Sequence, residues 1–302
     1  MATSKMHGNE VDTDVDLVAR LVAAQFPQWA GLPIRRVPNW GTDNALYRIG
    51  DDMVARLPRT QRTVVTLEKE RRWLPELAPH LPLAVPVPLA DGTPGGGYPF
   101  QWSVYRWLIG DDGTPRRVAD PSRLARDLAE FVGALEQIDP TGGPAPGKHN
   151  FFRGEPLAAR DAGTRAAIVA LGDAIDVHAV TAAWQSALRE PEWQRPPVWI
   201  HGDLDLRNLL VEEGRLSAVI DWGSLGVGDP ACDAMVAWKA LPADARDVFR
   251  KALAIDDSTW ARGRGWALSQ ALMALSYYTL ETNAVLVTEA RQWLAEALAD
   301  TR

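Results

Sequence analysis

The chain reads His201-Gly202-Asp203-Leu204-Asp205-Leu206-Arg207-Asn208 and then, after one apolar hairpin, Val219-Ile220-Asp221-Trp222-Gly223. Asp203 and Asn208 lie on a predicted loop between apolar runs, and Asp221 follows at the end of a second predicted strand. A loop, a hairpin and a strand end of this length can bring two carboxylates and one carboxamide to one point. Phosphoryl transfer from a magnesium nucleotide requires these groups, because one acid orients the attacking hydroxyl and oxygen ligands hold Mg²⁺. The competing interpretation is a polar surface hairpin with a capping aspartate.

A longer similarity surrounds these two segments. Roughly from Asn39 to Ala240, the chain resembles the aminoglycoside phosphotransferase family of protein-kinase-like antibiotic and small-metabolite kinases. Gly228-Asp229-Pro230-Ala231-Cys232-Asp233 is similar to the segment that follows the family's metal-binding aspartate. The resemblance implies transfer of the γ-phosphate of ATP or GTP to a hydroxyl group of an aminoglycoside-type antibiotic, with Mg²⁺ as the cofactor. The sequence has no Asp-Phe-Gly triplet and no Ala-Pro-Glu segment of the protein-kinase kind, so a protein substrate is disfavoured.

The resemblance assigns roles to the polar residues of these segments. Asp203 is expected to be the catalytic base, and Asn208 and Asp221 are expected to be the magnesium ligands. A carboxylate and a carboxamide, together with nucleotide phosphates and water, suit a small octahedral cation. His201 and Asp233 are expected to brace the loop by hydrogen bonding. Asp205 is expected to be a solvated loop acid without a role in the reaction.

The nucleotide phosphates are expected to meet the N-terminal part of the chain. Residues 53–57 lie where the family has a strand with a lysine, and Arg56 is the cation here, as in the macrolide-kinase branch of the family. An arginine can contact phosphate and pair with a carboxylate, and Glu70 is the expected partner, with Glu68 as the alternative. If Arg56 is only an exposed strand residue, Arg59 is the next candidate. The other expected nucleotide contacts are Thr42 and Asn44 in the loop 39–44, and Arg106 and Leu108 where two lobes join.

Hydrophobic periodicity predicts an α+β protein with a bilobal, protein-kinase-like fold. After a first helix that Pro27 ends, five β-type runs and one helix predict a small antiparallel-sheet lobe over residues 1–105, which would bind the nucleotide. From Pro121 onward the apolar spacing becomes helical, which predicts a larger, mainly helical lobe over residues 106–302. This lobe carries the catalytic hairpin and is expected to bind the acceptor.

Composition narrows the class of protein. The 302 residues are 46% hydrophobic and 24% charged, which is ordinary for a globular protein. The apolar runs are shorter than a membrane span, and Cys232 is the single cysteine, which excludes an internal disulfide framework. Basic residues form no large cluster, so nucleic acid is disfavoured as a partner. We expect a cytoplasmic enzyme that is monomeric or homodimeric.

The distribution of charge bears on the acceptor. Residues 1–105 hold as many basic as acidic side chains, so the whole formal charge of −7 lies in residues 106–302. An acidic lobe favours a cationic acceptor such as an aminosugar, although catalytic and helix-surface acids also account for this charge. The expected acceptor contacts are Glu155, Asp161 and Glu281.

Two other functions remain open besides an aminoglycoside kinase. One is a kinase for a macrolide or a small metabolite such as an aminoalcohol or sugar amine. The other, in a different class, is a nucleotide-binding module without catalysis.

Overall fold

The computed structural model describes residues 10–37, 44–114 and 117–300, and the chain divides into two compact units. Unit 1 takes in the described residues up to Pro79 together with Ala84–Ile109 and Ala218–Gly223. Unit 2 takes in His80–Leu83 and the described residues of Gly110–Ser217 and Ser224–Arg302.

This division differs from the predicted boundary at residue 105 in three places, and one of them is His80–Leu83, which belongs to unit 2. The first unit continues to Ile109, because the backbone N–H of Trp107 donates to the carbonyl of Asp52 at 2.7 Å and keeps the chain attached to it. Ala218–Gly223 also belongs to the first unit, because the N–H of Val219 donates to the carbonyl of Ala84 at 2.9 Å. The segment that carries Asp221 is therefore part of unit 1.

Unit 1 is built on an antiparallel sheet. Its strands and helices are β1 (Ile34–Arg36), β2 (Asn44–Ile49), β3 (Met53–Pro58), β4 (Pro88–Gly92), β5 (Trp102–Arg106), α1 (Val15–Gln25) and α2 (Gln61–Leu77). The strand order is β1-β2-β3-β5-β4, which confirms the predicted five-stranded antiparallel sheet. α1 begins after Asp14, because the carboxylate of Asp14 accepts the N–H of Leu17 at 2.7 Å and satisfies one free donor of the first turn.

One strand of this sheet is displaced from its prediction. The apolar run 85–89 predicts a strand, but β4 begins at Pro88 and extends to Gly92. Pro86 and Pro88 have no backbone N–H to donate, and β4 starts at the second of them, since the first residue of a strand is a position that tolerates proline. Ala84, just before this run, pairs instead with Ala218 as an isolated parallel bridge.

Unit 2 is mainly helical. Its helices are α3 (Pro121–Glu136), α4 (Asp161–Leu171), α5 (Val177–Leu188), α6 (Ala231–Ala234), α7 (Val236–Ala240), α8 (Ala243–Ala252), α9 (Asp257–Tyr277) and α10 (Leu280–Ala299). Most residues of α9 between Thr259 and Leu272 are buried, so this helix is enclosed by its neighbours on nearly all sides. Together with unit 1, this confirms the predicted α+β class.

Short strands hold the two polar segments of the sequence. They are β6 (Asp111–Asp112), β7 (Val198–Ile200), β8 (Leu209–Glu212), β9 (Arg215–Val219) and β10 (Gly226–Gly228). β7 pairs with β10, whereas β8 lies between β6 and β9. The loop 201–208 therefore connects two different small sheets. None of the helices in the described ranges combines the length and the hydropathy that a membrane span requires.

Candidate active site

The conformation of the loop after β7 is fixed by a glycine and by hydrogen bonds to its backbone N–H groups. Gly202 has a φ of +81°, and a Cβ at this position would lie 2.6 Å from the carbonyl oxygen of Ser224, so glycine is required. The carboxylate of Asp233 accepts the backbone N–H groups of His201 and Gly202, both at 2.7 Å. Nδ1 of the buried His201 accepts the N–H of Asp203 at 3.2 Å. Asp233 thus braces the loop, as the resemblance implied, and His201 braces it as expected.

Two cations lie beside the carboxylate of Asp203. Nζ of Lys239 is 3.3 Å from Oδ1, and Nη2 of Arg153 is 3.7 Å from the same oxygen. Burial disfavours the ionised form of Asp203, but the charges of Lys239 and Arg153, together with that of Arg207, hold the pKa of this carboxyl well below its usual range. Asp203 is therefore an anion that can orient a hydroxyl group by accepting its hydrogen bond.

Asn208 is held on the same loop. It ends a short 3₁₀ turn, Leu206–Asn208, and its Nδ2 donates to the backbone carbonyl of Asp203 at 2.9 Å. This bond uses the amide's donor side and leaves Oδ1 as the atom that can ligate a hard cation. Unit 2 therefore brings together two of the predicted site residues, Asp203 and Asn208.

The structure corrects the expectation for Asp205, which is buried and is not a solvated loop acid. Its carboxylate accepts the N–H of Arg207 at 2.9 Å and pairs with the guanidinium of the same residue at 2.8 Å. Nζ of Lys239 lies 3.5 Å from the second oxygen of Asp205. Asp205 therefore supplies the negative charge that allows Lys239 to be buried beside Asp203.

Sequence reasoning missed Lys239. This lysine is buried on α7, donates to Oε1 of Gln270 at 3.3 Å and lies 4.6 Å from the centroid of the Trp293 ring. A signal for it exists, because Lys239 is the single charged residue in the apolar run 234–241. A lysine in a buried helix requires a carboxylate partner, and the nearby acidic loop offers two.

In unit 1, Arg56 pairs with the predicted partner, Glu70. Nη1 of Arg56 is 2.6 Å from Oε2 and Nη2 is 3.2 Å from Oε1, so the ion pair is bidentate. Glu70 is fully buried, and the guanidinium also lies 5.1 Å from the ring centroid of Tyr105. Burial lowers the pKa of an arginine, but Glu70, Tyr105 and Asp221 outweigh this effect and raise the pKa of Arg56 above its ordinary value. Arg56 is therefore a fixed cation and not an exposed strand residue.

Asp221 has a strained backbone in the same unit. Its φ is +61°, in the left-handed region that non-glycine residues seldom adopt. The following Gly223 is packed so closely that a Cβ would lie 2.9 Å from Cγ2 of Thr66. Nζ of Lys69, on α2, donates to the carbonyl of Gly223 at 2.8 Å, and burial lowers the pKa of Lys69 to about 8 against the opposing charge of Glu70. Strain that the surroundings enforce is typical of functional positions.

The other predicted nucleotide contacts are Asn44, Arg106, Leu108 and Thr42. Asn44 begins β2, and its Oδ1 is buried without a hydrogen-bond partner in the described part of the chain. Arg106 ends β5 and is exposed, and Leu108 follows it half-buried. Thr42 lies outside the described residues.

The three expected acceptor contacts have different surroundings. The carboxylate of Asp161 is occupied, because it accepts hydrogen bonds from Arg165 at 2.8 Å and from the indole of Trp184 at 2.8 Å. Glu155 is half-buried in the loop before α4, and Glu281 is exposed in the first turn of α10. The structure therefore gives Asp161 a packing role and leaves Glu155 and Glu281 accessible.

The chain belongs to the phosphotransferase enzyme family, whose sequence profile it matches over residues 34–266. This range includes Arg56, Glu70 and both polar segments. The family makes the chain a small-molecule phosphotransferase, as the resemblance predicted. No curated protein is similar enough in sequence to count as a match.

Solved structures support the same fold. The complex of APH(2")-IIIa with GDP and kanamycin is 20% identical, with a TM-score of 0.72 over 94% of this chain and 99% of that one. The apoenzyme of macrolide 2'-phosphotransferase MphH from Brachybacterium faecium is 26% identical, with a TM-score of 0.63 over 96% and 99%. The ADP-bound aminoglycoside phosphotransferase APH(2'')-Ib is 16% identical, with a TM-score of 0.60 over 95% and 99%.

Proposed function

We propose that this chain is a magnesium-dependent O-phosphotransferase that transfers the γ-phosphoryl group of ATP or GTP to a hydroxyl group of an antibiotic. The observation that carries the proposal is the anionic Asp203 on a braced loop, with Asn208 bonded to its backbone. A surface hairpin with a capping aspartate would not require a buried lysine and a buried aspartate to hold that loop.

In this reaction Asp203 accepts the hydrogen bond of the acceptor hydroxyl and orients its oxygen toward the γ-phosphorus. A bond forms between that oxygen and phosphorus, and the bond from phosphorus to the β,γ-bridging oxygen breaks. The nucleoside diphosphate leaves with the bridging oxygen and its electron pair. The hydroxyl proton passes to Asp203 and then to solvent. Lys239 and Arg153 keep Asp203 ionised before the transfer.

The residues present fit a magnesium nucleotide in chemical type. Oδ1 of Asn208 and the carboxylate of Asp221 are hard oxygen donors, which we assign as Mg²⁺ ligands. The metal ion would neutralise charge on the phosphates and orient them. Arg56, held in place by Glu70, is assigned to the α- and β-phosphates, because a guanidinium presents paired donors to phosphate oxygens. Thr42, Asn44, Arg106 and Leu108 remain proposed nucleotide contacts.

The acceptor has two candidates within the same reaction class. An aminoglycoside is proposed from the sequence resemblance and from the acidic charge of residues 106–302. A macrolide is proposed from a different observation, since the macrolide 2'-phosphotransferase MphH is 26% identical to this chain. A small metabolite and a non-catalytic nucleotide-binding module are the other outcomes that the experiment distinguishes.

The test is phosphate transfer by the purified protein. Radiolabelled ATP or GTP is supplied with Mg²⁺ and with kanamycin, erythromycin, choline or no acceptor, and labelled products are separated by chromatography. We expect acceptor-dependent product formation that is lost in Asp203→Asn and when the metal is chelated. Nucleotide binding without transfer to any acceptor would instead assign the chain to the non-catalytic class.

A further inference from the structure

A short segment before α4 is held in an unusual conformation beside Asp203. The buried Asn150 accepts the N–H of Gly147 at 2.9 Å through Oδ1 and donates to the carbonyl of Arg153 at 3.0 Å. Between these anchors, Phe151 and Phe152 have φ values of +54° and +60°. Two consecutive non-glycine residues in the left-handed region are strained, so the surroundings must enforce this conformation.

The strained backbone presents two aromatic rings at the surface. Phe151 is 47% exposed and Phe152 is 41% exposed. Neither a strained backbone nor adjacent exposed phenylalanines are favoured by folding alone. Both features together are typical of a surface that a ligand covers.

Arg153, the next residue, has hydrogen-bonding capacity that the protein does not use. Its Nε and Nη1 are buried and have no hydrogen-bond partner among the residues that the structure describes. Its Nη2 lies 3.7 Å from Oδ1 of Asp203. A buried donor without a partner is costly, and native proteins seldom keep one without a reason.

Lys239 provides the contrast. It approaches the same oxygen of Asp203, but it is also within ion-pair distance of Asp205 and bonded to Gln270. The described residues therefore provide partners for the ammonium group of Lys239, whereas two N–H donors of Arg153 have none. This difference points to a ligand group at Arg153.

We propose that Phe151, Phe152 and Arg153 form an acceptor subsite for a molecule with a broad apolar face and a neutral oxygen beside the hydroxyl that is phosphorylated. The apolar face covers the two rings, and the oxygen accepts from the guanidinium of Arg153, whose side chain is 13% exposed. A glycosylated macrolactone has this chemistry. A polycationic aminosugar does not, because its several ammonium groups would meet a guanidinium and it has no broad apolar face to pack on the rings. The proposal rests on the proposed function for the assignment of Asp203 as the base.

The experiment measures binding separately from transfer. Erythromycin and kanamycin are titrated calorimetrically into the full chain and into Phe151→Asn, Phe152→Asn, Arg153→Met and Arg153→Lys. Asparagine removes the ring but tolerates a positive φ, so the segment keeps its backbone. Matched controls are Val169→Asn, which changes an exposed apolar residue on α4, and Arg126→Met, which changes an exposed arginine on α3. Thermal unfolding of each variant checks that it is folded.

We expect the parent and both controls to bind erythromycin, and each phenylalanine variant and Arg153→Met to bind it at least about 10-fold more weakly, the size of one lost pocket contact. Arg153→Lys should recover part of the loss. Erythromycin affinity unchanged in all four variants, or parent protein that binds kanamycin and not erythromycin, overturns the proposal. Failure of the proposed function is a separate result, since it appears as erythromycin binding without phosphate transfer from ATP or GTP.

Discussion

Nζ of Lys239 lies 3.3 Å from Oδ1 of Asp203 and 3.5 Å from Oδ2 of Asp205, although its side chain is almost completely buried. A buried ammonium group is tolerated only when carboxylates and hydrogen bonds compensate for its lost hydration. The two aspartates lie on one loop, so a single lysine from α7 fixes the position of both. The following experiments separate this positioning from the chemistry of Asp203 itself.

Lys239→Met should lower both stability and turnover. Removing one member of a buried charge cluster leaves uncompensated carboxylates, which costs about 3–5 kcal/mol of unfolding free energy. The affinity for the nucleotide should change little. Urea denaturation and steady-state kinetics measure these effects, and Lys251→Met, on the exposed face of α8, is the control. A variant as stable and as active as the parent would remove Lys239 from this role.

Asp203→Ala should reduce turnover by about 10²–10⁴-fold, because a positioned acid–base group contributes a factor of this size. Nucleotide affinity should stay within a few-fold of the parent, since the carboxylate is assigned to the acceptor hydroxyl. Single-turnover transfer and fluorescence titration of a nucleotide analogue measure the two quantities. The exposed Asp173→Ala is the control. Unchanged turnover would exclude Asp203 as the base.

The bidentate pair of Arg56 and Glu70 predicts coupled effects. Arg56→Ala and Glu70→Ala should each raise the nucleotide Michaelis constant or lower turnover, and the double variant should cost clearly less than the sum. Arg56→Lys should keep substantial activity, since lysine binds phosphate as a point charge. Kinetics of the four proteins in the cycle measure the coupling. Small additive effects would exclude the pair of Arg56 and Glu70 from nucleotide binding, and Arg59 would become the next phosphate ligand to test.

Asp221→Asn should weaken magnesium-dependent nucleotide binding more than Asn208→Ala does, because an anionic ligand holds a hard dication better than a neutral one. Asparagine tolerates the positive φ at position 221, so the substitution removes charge without displacing the backbone. Nucleotide affinity is measured by calorimetry with and without Mg²⁺. If both variants bind the magnesium nucleotide like the parent, the assignment of these ligands is wrong.

The parts of the structure that local spacing controls were predictable from the sequence. Leu67, Glu70 and Leu74 share one face of α2 and are all buried, whereas Glu68 is exposed on another face. Helical periodicity therefore selects Glu70 as the partner of Arg56. The predicted strands around the polar segments exist for the same reason, because apolar runs bounded by turn residues mark them.

Long-range partners were not predictable in the same way. Lys239 is separated from Asp203 by 36 positions, and no local pattern states that α7 packs beside the loop. The expectation for Asp205 failed for this reason, since a lone loop acid is usually solvated and its burial depends on Lys239. The position of β4 was missed because Pro86 removes a backbone donor from an otherwise apolar run.

Glu136, the last residue of α3, supplies a test of pH dependence outside the site. Burial raises its pKa to about 7, with contributions from the carboxylates of Asp233 and Asp229 and opposition from Arg195. Between the ordinary value of 4.5 and about 7, the folded protein holds a proton that the unfolded chain releases. The contribution of Glu136 to stability is therefore fully present below the unfolded pKa and is lost as the pH rises through 7.

Glu136→Gln keeps the size of the side chain but cannot ionise, so it should be more stable than the parent by roughly 1–3 kcal/mol at pH 8, after allowance for partial exposure. At pH 4 the two proteins should differ little. Denaturant unfolding of both proteins at pH 4, 6 and 8 measures the difference. A difference that stays constant from pH 4 to 8 would show that the folded protein does not perturb Glu136.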